Sequence, residues 1–188
     1  MTTLNVEKVG LVADYSQAGQ WAFDLAFRIA RSEKLQLNIF RFLESPYDVP
    51  LNTSPCDIPS HSWDETVVIA KDRELREYYD GQLGDYTDVG FRVCGSARHN
   101  LELKRCLKHK EYQLLILPYV RYGVSFGNMP IEEFAYRFNA PVLLVGPGHA
   151  KEYHANPGAK ILIDSFTLTL AGTVALSKPE AFQQLAVL

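Results

Sequence analysis

Asp14 stands directly behind an apolar run, Val9-Gly10-Leu11-Val12-Ala13, and is followed by Tyr15 and Ser16. A carboxylate at the carboxyl end of a strand buried on both faces points into the crevice where open α/β sheets hold ligands. An Asp two residues before a helix-capping Ser is equally a natural turn-former. Pro118, Tyr119, Arg121, Tyr122, Gly123, Ser125, Phe126, Gly127 and Asn128 form a second cluster, behind the strongly apolar run Tyr112 to Leu117. Its aromatic rings could stack a base and Arg121 could hold a phosphate or carboxylate, although an ordinary surface loop has the same composition. Arg41 and Phe42 end a further β-type run, Leu35 to Phe42, and complete the candidate set.

Other groups of reactive side chains read as structural. Cys106 and His109 lie three apart on one helical segment, but two groups are too few for a metal and a core thiol beside a solvated His explains them. His149, Glu152 and His154 sit beside Lys151 in a stretch bounded by Gly and Pro, where a solvated connector is expected. Glu132-Glu133 suits the first turn of a helix through its dipole. No nucleophile elbow, Walker A segment, dinucleotide glycine fingerprint or His-Glu-x-x-His helix is present, so no catalytic residue is named and no metal is expected.

These residues need elements to position them. The 188 residues are 47% hydrophobic and 22% charged, ordinary values for one globular domain with an appendage. A formal charge of −3 provides no basic field for gripping nucleic acid, and the three scattered cysteines suggest a reducing, cytoplasmic setting rather than a disulfide framework. The apolar run Phe166 to Leu176 is too short to span a bilayer, so no membrane association is expected.

Strand-like and helix-like periods alternate along the chain. Behind Val9 to Ala13 comes an amphipathic helix capped by Ser16, with Ala18, Trp21, Ala22, Leu25, Ala26, Ile29 and Ala30 on one face. After the second strand, the proline-rich residues 44–61 make a loop long enough to be a lid, a cover or a disordered excursion. A polar helix from Ser62 to about Tyr86, a strand from Gly90 to Cys94, a helix carrying Leu101, Leu103, Cys106 and Leu107, and the Tyr112 to Leu117 strand follow. Pro118 to Met129 reads as a loop, Pro130 opens a helix through about Phe138, and Val142 to Val145 is the last strand before Gly-Pro-Gly. Such alternation predicts a five-stranded, parallel, doubly wound α/β sheet of Rossmann-like type, with its ligand crevice behind the first and fourth strands.

The run Val9 to Asp14, the Ala-rich first helix, Gln113 to Pro118 with its Gly-bearing loop, and Ile131 through Ala140-Pro141-Val142-Leu143-Leu144-Val145 together resemble the universal stress protein family over residues 7–147. The resemblance implies an adenine nucleotide alpha hydrolase-like fold, a dimer through the last strand, and ATP or AMP held between an Asp after the first strand and a glycine motif after the fourth. Asp14 falls where the adenine-contacting Asp is expected. The phosphate motif is Gly, two residues, Gly, nine residues, Gly and then Ser or Thr, and this chain departs from it. Pro118 and Arg121 stand at the first two glycines and Asn128-Met129 at the closing pair, while Gly123 and Gly127 are out of register. Proline lacks the N–H that a phosphate cradle needs, which leaves Arg121, Ser125 and Asn128 as substitute partners. A response-regulator reading fails for want of an acidic cluster, of an Asp at Cys94-Gly95-Ser96 and of a Lys at Gly146-Pro147-Gly148.

The expectation is therefore a universal-stress-protein-like domain over 1–147 and an extension over 148–188 with a strand at Ala159 to Ser165 and a helix at Thr167 to Ser177. The extension is expected to dock or to join Val142–Val145 in a homodimer interface. The function expected is stress-response signalling by adenine-nucleotide occupancy, without strong catalysis. The ligand-binding set is Asp14, Tyr15, Ser16, Arg41, Phe42, Pro118, Tyr119, Arg121, Gly123, Gly127 and Asn128. The alternative is a degenerate member that has lost nucleotide and acts as a structural or protein-interaction dimer.

Overall fold

The computed structural model describes residues 6–54, 56–58, 63–121 and 124–146, together with the backbone of Glu152–Ala155 and Ala175–Leu176. Five parallel strands form its centre: β1 (Lys8–Val12), β2 (Gln36–Phe42), β3 (Val89–Cys94), β4 (Leu114–Pro118) and β7 (Val142–Val145), in the order β3-β2-β1-β4-β7. Because the chain winds outward from β1 to β3 and then crosses to β4 on the other side of β1, the switch point lies between β1 and β4. The expected α/β class and its winding are what the structure has.

Alternation along the central strands explains the two layers of helices. Leu114 and Ile116 of β4 and Leu143 and Val145 of β7 enter one core, whereas Leu115, Leu117, Val142 and Leu144 enter the other. Helices α1 (Gln17–Glu33) and α2 (Glu65–Leu83) cover the first face through residues such as Ala22, Phe23, Ile29, Leu75 and Tyr79. Helices α3 (His99–Lys108) and α4 (Ile131–Arg137) cover the second through Leu103, Cys106, Ile131 and Phe134. Ser16 caps α1 by accepting from the Gly19 N–H at 3.2 Å, and Asp64 caps α2 by accepting from the Thr66 N–H at 2.8 Å. The second helix is thus shorter at both ends than the Ser62–Tyr86 period suggests.

Two segments differ from their sequence reading. Residues 118–129 are not simply a loop: β5 (Ser125–Phe126) and β6 (Met129–Pro130) pair as a small antiparallel hairpin. Gly127, at φ +66°, supplies the turn geometry that a side chain would resist. The stretch expected to be a solvated connector contains β8 (Glu152–Ala155), which pairs antiparallel with β7, and β9 (Ala175–Leu176) adds parallel to β8. The Thr167–Ser177 helix expectation is corrected at its end, since Ala175 and Leu176 are extended. An open strand edge offers unpaired N–H and C=O groups, and pairing with it outweighs a weak small-residue helical pattern. The strand expected at Ala159 to Ser165 lies outside the described residues.

Gly19 has the least room for a side chain of the glycines among the described residues. A Cβ there would lie 1.7 Å from the Asp14 carbonyl oxygen, which is backbone and has no rotamer to escape into. Gly19→Ala is expected to destabilise the protein by at least about 3 kcal/mol in urea unfolding, the upper end for overpacking, with a near-neutral effect refuting the contact. Ending the chain at residue 147 removes β8 from the β7 edge. The truncated chain is expected to self-associate at concentrations where the full chain does not, as read by light scattering.

Candidate functional site

Main chain packs closely on both sides of the switch point. The Asp14 carbonyl sits against the first turn of α1 at Gly19, and Gly146 packs with its Cα hydrogen facing the Tyr119 carbonyl, where a Cβ would come within 2.8 Å. The Tyr119 N–H donates to the Val145 carbonyl at 2.7 Å, and the Tyr119 hydroxyl donates to Glu132. Pro118 and Tyr119 are accordingly buried structural residues, with Pro118 in register opposite Val145.

The open cleft lies one strand over, at the carboxyl ends of β1 and β2. It has a volume of about 340 Å³ and is walled by Asp14, Tyr15, Ser16, Arg41 and Phe42 together with Ser45, Pro46, Tyr47 and Asp48. That volume is at the lower end of the roughly 300–1,000 Å³ typical of small-molecule sites. Asp14 is held by an Asx turn, its Oδ2 accepting from the Ser16 N–H at 3.0 Å. The Arg41 guanidinium lies over the Tyr15 ring at 4.3 Å, and Tyr15 in turn packs on Tyr78 with centroids 4.4 Å apart. This stack fixes a cation in the lining that also holds the Asp14 carboxylate.

Two phenols complete the chemistry of this cleft. The hydroxyls of Tyr15 and Tyr47 are buried without a hydrogen-bond partner among the described residues. Burial raises the pKa of both, helped at Tyr47 by the Asp14 charge and opposed at Tyr15 by Arg41, so both keep their protons at neutral pH. The cleft therefore offers one carboxylate acceptor and one guanidinium, while the two phenolic oxygens are buried in its wall rather than open to it. A polar planar molecule of nucleobase size matches that set. Tyr47 was invisible as a site residue because it lies in the proline-rich segment, whose only sequence signal was its length.

The expected second half of the site is elsewhere. Gly127 and Asn128 do not reach the Asp14 cleft but line another, of about 460 Å³, beside the start of α3. Against the hairpin runs a strap made by residues 46–53, and a third cleft of about 440 Å³ along it shares Ser45 and Asp48 with the Asp14 cleft and Ile58 and Ala97 with the other. The Gly127 N–H donates to the Pro46 carbonyl at 2.7 Å, and Ser125 Oγ donates to the Tyr47 carbonyl at 3.2 Å. Asn128 Nδ2 donates to the Thr53 carbonyl at 3.2 Å, while its own carbonyl accepts from the Asn52 N–H at 3.1 Å. The Tyr47 ring seals the seam by meeting Phe126 edge-on at 5.4 Å. The donors expected to hold a phosphate at Ser125, Gly127 and Asn128 are thus spent on the chain itself. Arg121 is exposed, and Tyr122 and Gly123 lie outside the described residues.

The remaining candidates divide similarly. Cys106 is buried and His109 exposed, as a core thiol and a solvated imidazole would be. Burial pushes the Cys106 thiol up to about 12, so it is no nucleophile at neutral pH. The side chains of His149, Glu152 and His154 lie outside the described residues. Among the described residues no group of His, Cys, Asp and Glu could hold a metal ion, and no helix is long and apolar enough to cross a membrane.

Comparison with known proteins gives likenesses of structure. No family model matches the chain, and no curated protein matches it in sequence. Among solved structures it is similar to a universal stress protein family member from Burkholderia pseudomallei, with a TM-score of 0.49, 14% identity, and coverage of 75% of this chain and 96% of that one. It is also similar to the universal stress protein UspA from Lactobacillus plantarum, with a TM-score of 0.43, 17% identity, and coverage of 73% and 95%.

One buried titratable group near the site has a measurable consequence. His99 is 1% exposed, and burial lowers its pKa below the ordinary 6.5 against a weaker raising influence from Glu44. A group depressed in this way contributes stability that is complete above its unfolded pKa and is lost as pH falls through the window beneath it. The urea midpoint is expected to drop between about pH 7.5 and 5.5, and His99→Phe is expected to flatten that drop, equal slopes refuting the assignment.

Proposed function

We propose that this chain is a universal-stress-protein-like module that binds a nucleobase-bearing small molecule behind β1 and β2 and signals by occupancy rather than turnover. The family assignment is supported by the β3-β2-β1-β4-β7 winding and by Asp14 at the end of β1. Adenosine or AMP is the ligand proposed, in preference to ATP.

A single observation carries this choice: Asp14 and the Arg41 guanidinium stacked on Tyr15 line one cleft, while the Gly127 N–H is given to Pro46. Adenosine offers an exocyclic amine or ribose hydroxyls for Asp14 to accept from. Arg41 remains for a single phosphate. A triphosphate needs a run of free backbone donors, and the hairpin turn that would offer them is strapped down. Burial keeps both phenols of the cleft protonated and Asp14 is held in its Asx turn, which is why occupancy is the proposed signal.

The second reading, a member that has lost its ligand and acts through its surfaces, is favoured by Tyr47, whose buried ring fills space beside the Asp14 carboxylate. Calorimetric titration of the full chain with adenosine, AMP, cyclic AMP and ATP separates the two. Micromolar binding of AMP, weakened at least about tenfold by either Asp14→Ala or Arg41→Ala, is the expected outcome. Replacing Tyr47 by Ala is expected to unseal the seam and narrow the gap between AMP and ATP. Silence with every nucleotide from a folded chain would leave the interaction module as the function.

A further inference from the structure

Three clefts adjoin across the carboxyl end of the sheet, and their walls change character from one end to the other. The Asp14 cleft, about 340 Å³, holds the polar groups Asp14, Ser16, Arg41, Ser45 and Asp48. The cleft along the strap, about 440 Å³, shares Ser45 and Asp48 with it and adds Val49 and Pro50. The cleft beside α3, about 460 Å³, shares Ile58 and Ala97 with the strap cleft and adds Leu101 and Met129. Its polar side chains leave that surface apolar, since His99 Nδ1 and Asn100 Oδ1 are buried and Arg98 is exposed to water. The three form one groove that starts polar and ends apolar.

Charge decides what can extend along it. Glu44, Asp48 and Asp57 line the strap cleft, and no Lys or Arg stands among its described lining residues. A chain of phosphates leaving Arg41 in that direction meets carboxylates without a cation, and the repulsion grows with each phosphate. A pyrophosphate link to a second nucleotide is disfavoured for the same reason. An uncharged chain meets no such penalty, because Asp48 and Asp57 are exposed and keep their hydration while the chain follows Val49 and Pro50.

The far end supplies a driving force. Leu101 is 57% exposed beside Ile58 and Met129, so an apolar group placed there removes from water surface that the fold leaves uncovered. The phosphate points the same way. A phosphate monoester carries a charge of about −1.5 to −2 at neutral pH, whereas a diester carries only about −1. With Asp14 and Asp48 in the same wall, the diester suits a single guanidinium better.

We infer that the ligand of the Asp14 cleft is an adenosine 5′-phosphate esterified to an apolar chain. The nucleoside sits at Asp14 and the phosphodiester at Arg41, and the chain runs past Val49 to Ile58, Leu101 and Met129. This rests on nucleotide binding at Asp14 and Arg41 and extends it from a headgroup to a lipid-like nucleotide. Contact at the apolar end gives such a ligand its advantage over AMP, and the nucleoside distinguishes it from a plain alkyl anion.

The test titrates the full chain by calorimetry with AMP, with its methyl and dodecyl phosphodiesters, and with dodecyl phosphate as the chain without the nucleoside. The dodecyl ester is expected to bind at least about tenfold more tightly than the methyl ester, a modest gain when one buried methylene is worth about fourfold. Leu101→Asp, at an exposed position outside the core, is expected to remove most of that gain and to leave the methyl ester unchanged. Asp14→Ala is expected to weaken both esters by the same factor, at least about tenfold. Maleimide labelling locates the chain, because Cys56 lines the cleft beside α3 and is exposed while the other two cysteines are buried. The dodecyl ester is expected to shield Cys56 and the methyl ester to leave it open. Equal affinity of the two esters would overturn the inference and leave the nucleotide reading standing. Silence with AMP and the methyl ester, while dodecyl phosphate shields Cys56, would overturn both. A gain that survives Leu101→Asp, an unshielded Cys56, or dodecyl phosphate binding as tightly as the dodecyl ester would each overturn the groove.

Discussion

The strap of residues 46–53 across the β5–β6 hairpin governs what the carboxyl end of the sheet can do. Its hydrogen bonds run from Gly127, Ser125 and Asn128 to the carbonyls of Pro46, Tyr47 and Thr53, with Asn52 returning one to Asn128. At about 0.5–1.5 kcal/mol each, these bonds sum to a few kcal/mol, before the Tyr47–Phe126 contact is added. A ligand that needed the Gly127 N–H would have to replace them together, because they lie on one short stretch of chain. The strap thus commits the polar groups of the hairpin to the chain itself, and the Asp14 cleft and the cleft beside α3 have different lining residues.

Close backbone packing explains why the cleft stands over β1 and β2 rather than at the switch point. Gly19 lets α1 approach the Asp14 carbonyl, and Gly146 lets the end of β7 approach the Tyr119 carbonyl. Both approaches bring main chain close at the ends of β1 and β4. The Asp14 side chain is left facing the β2 end, where Arg41 and Tyr15 are already stacked. The polar site is a consequence of how tightly the helix layer closes on the sheet.

Much of the fold was legible because its signals are periodic. Alternation in Leu114 to Leu117 and in Val142 to Val145 sends neighbours to opposite cores, and the three-four spacing from Ala18 to Ala30 makes one helix face. Asp14, Tyr15, Ser16, Arg41 and Phe42 were legible as a group because each falls at or just beyond a strand end, and they do share a cleft. The other half was not. Whether Gly127 and Asn128 face Asp14 depends on where residues 46–53 lie, and a proline-rich loop carries no period from which to read its path. Nor does any spacing announce that His99 is buried with one nitrogen unmatched, since that depends on the Glu44 carbonyl, 55 residues away in sequence. The hairpin at Ser125–Pro130 is short enough for its Gly127 turn to read as loop.

The β7 edge shows the same dependence on distant chain. Val142, Leu143, Leu144 and Val145 are all buried by the two helix layers, so this strand is saturated on its faces and has only its outer edge left to pair. The sequence between Val145 and Glu152 is short enough for the chain to fold back, and β8 takes that edge antiparallel, with Leu144 opposite His154. A tethered strand competes at an effective concentration in the millimolar range, far above that of a second copy in dilute solution. Self-pairing of the edge is therefore the default, and a homodimer through Val142–Val145 requires β8 to be displaced first.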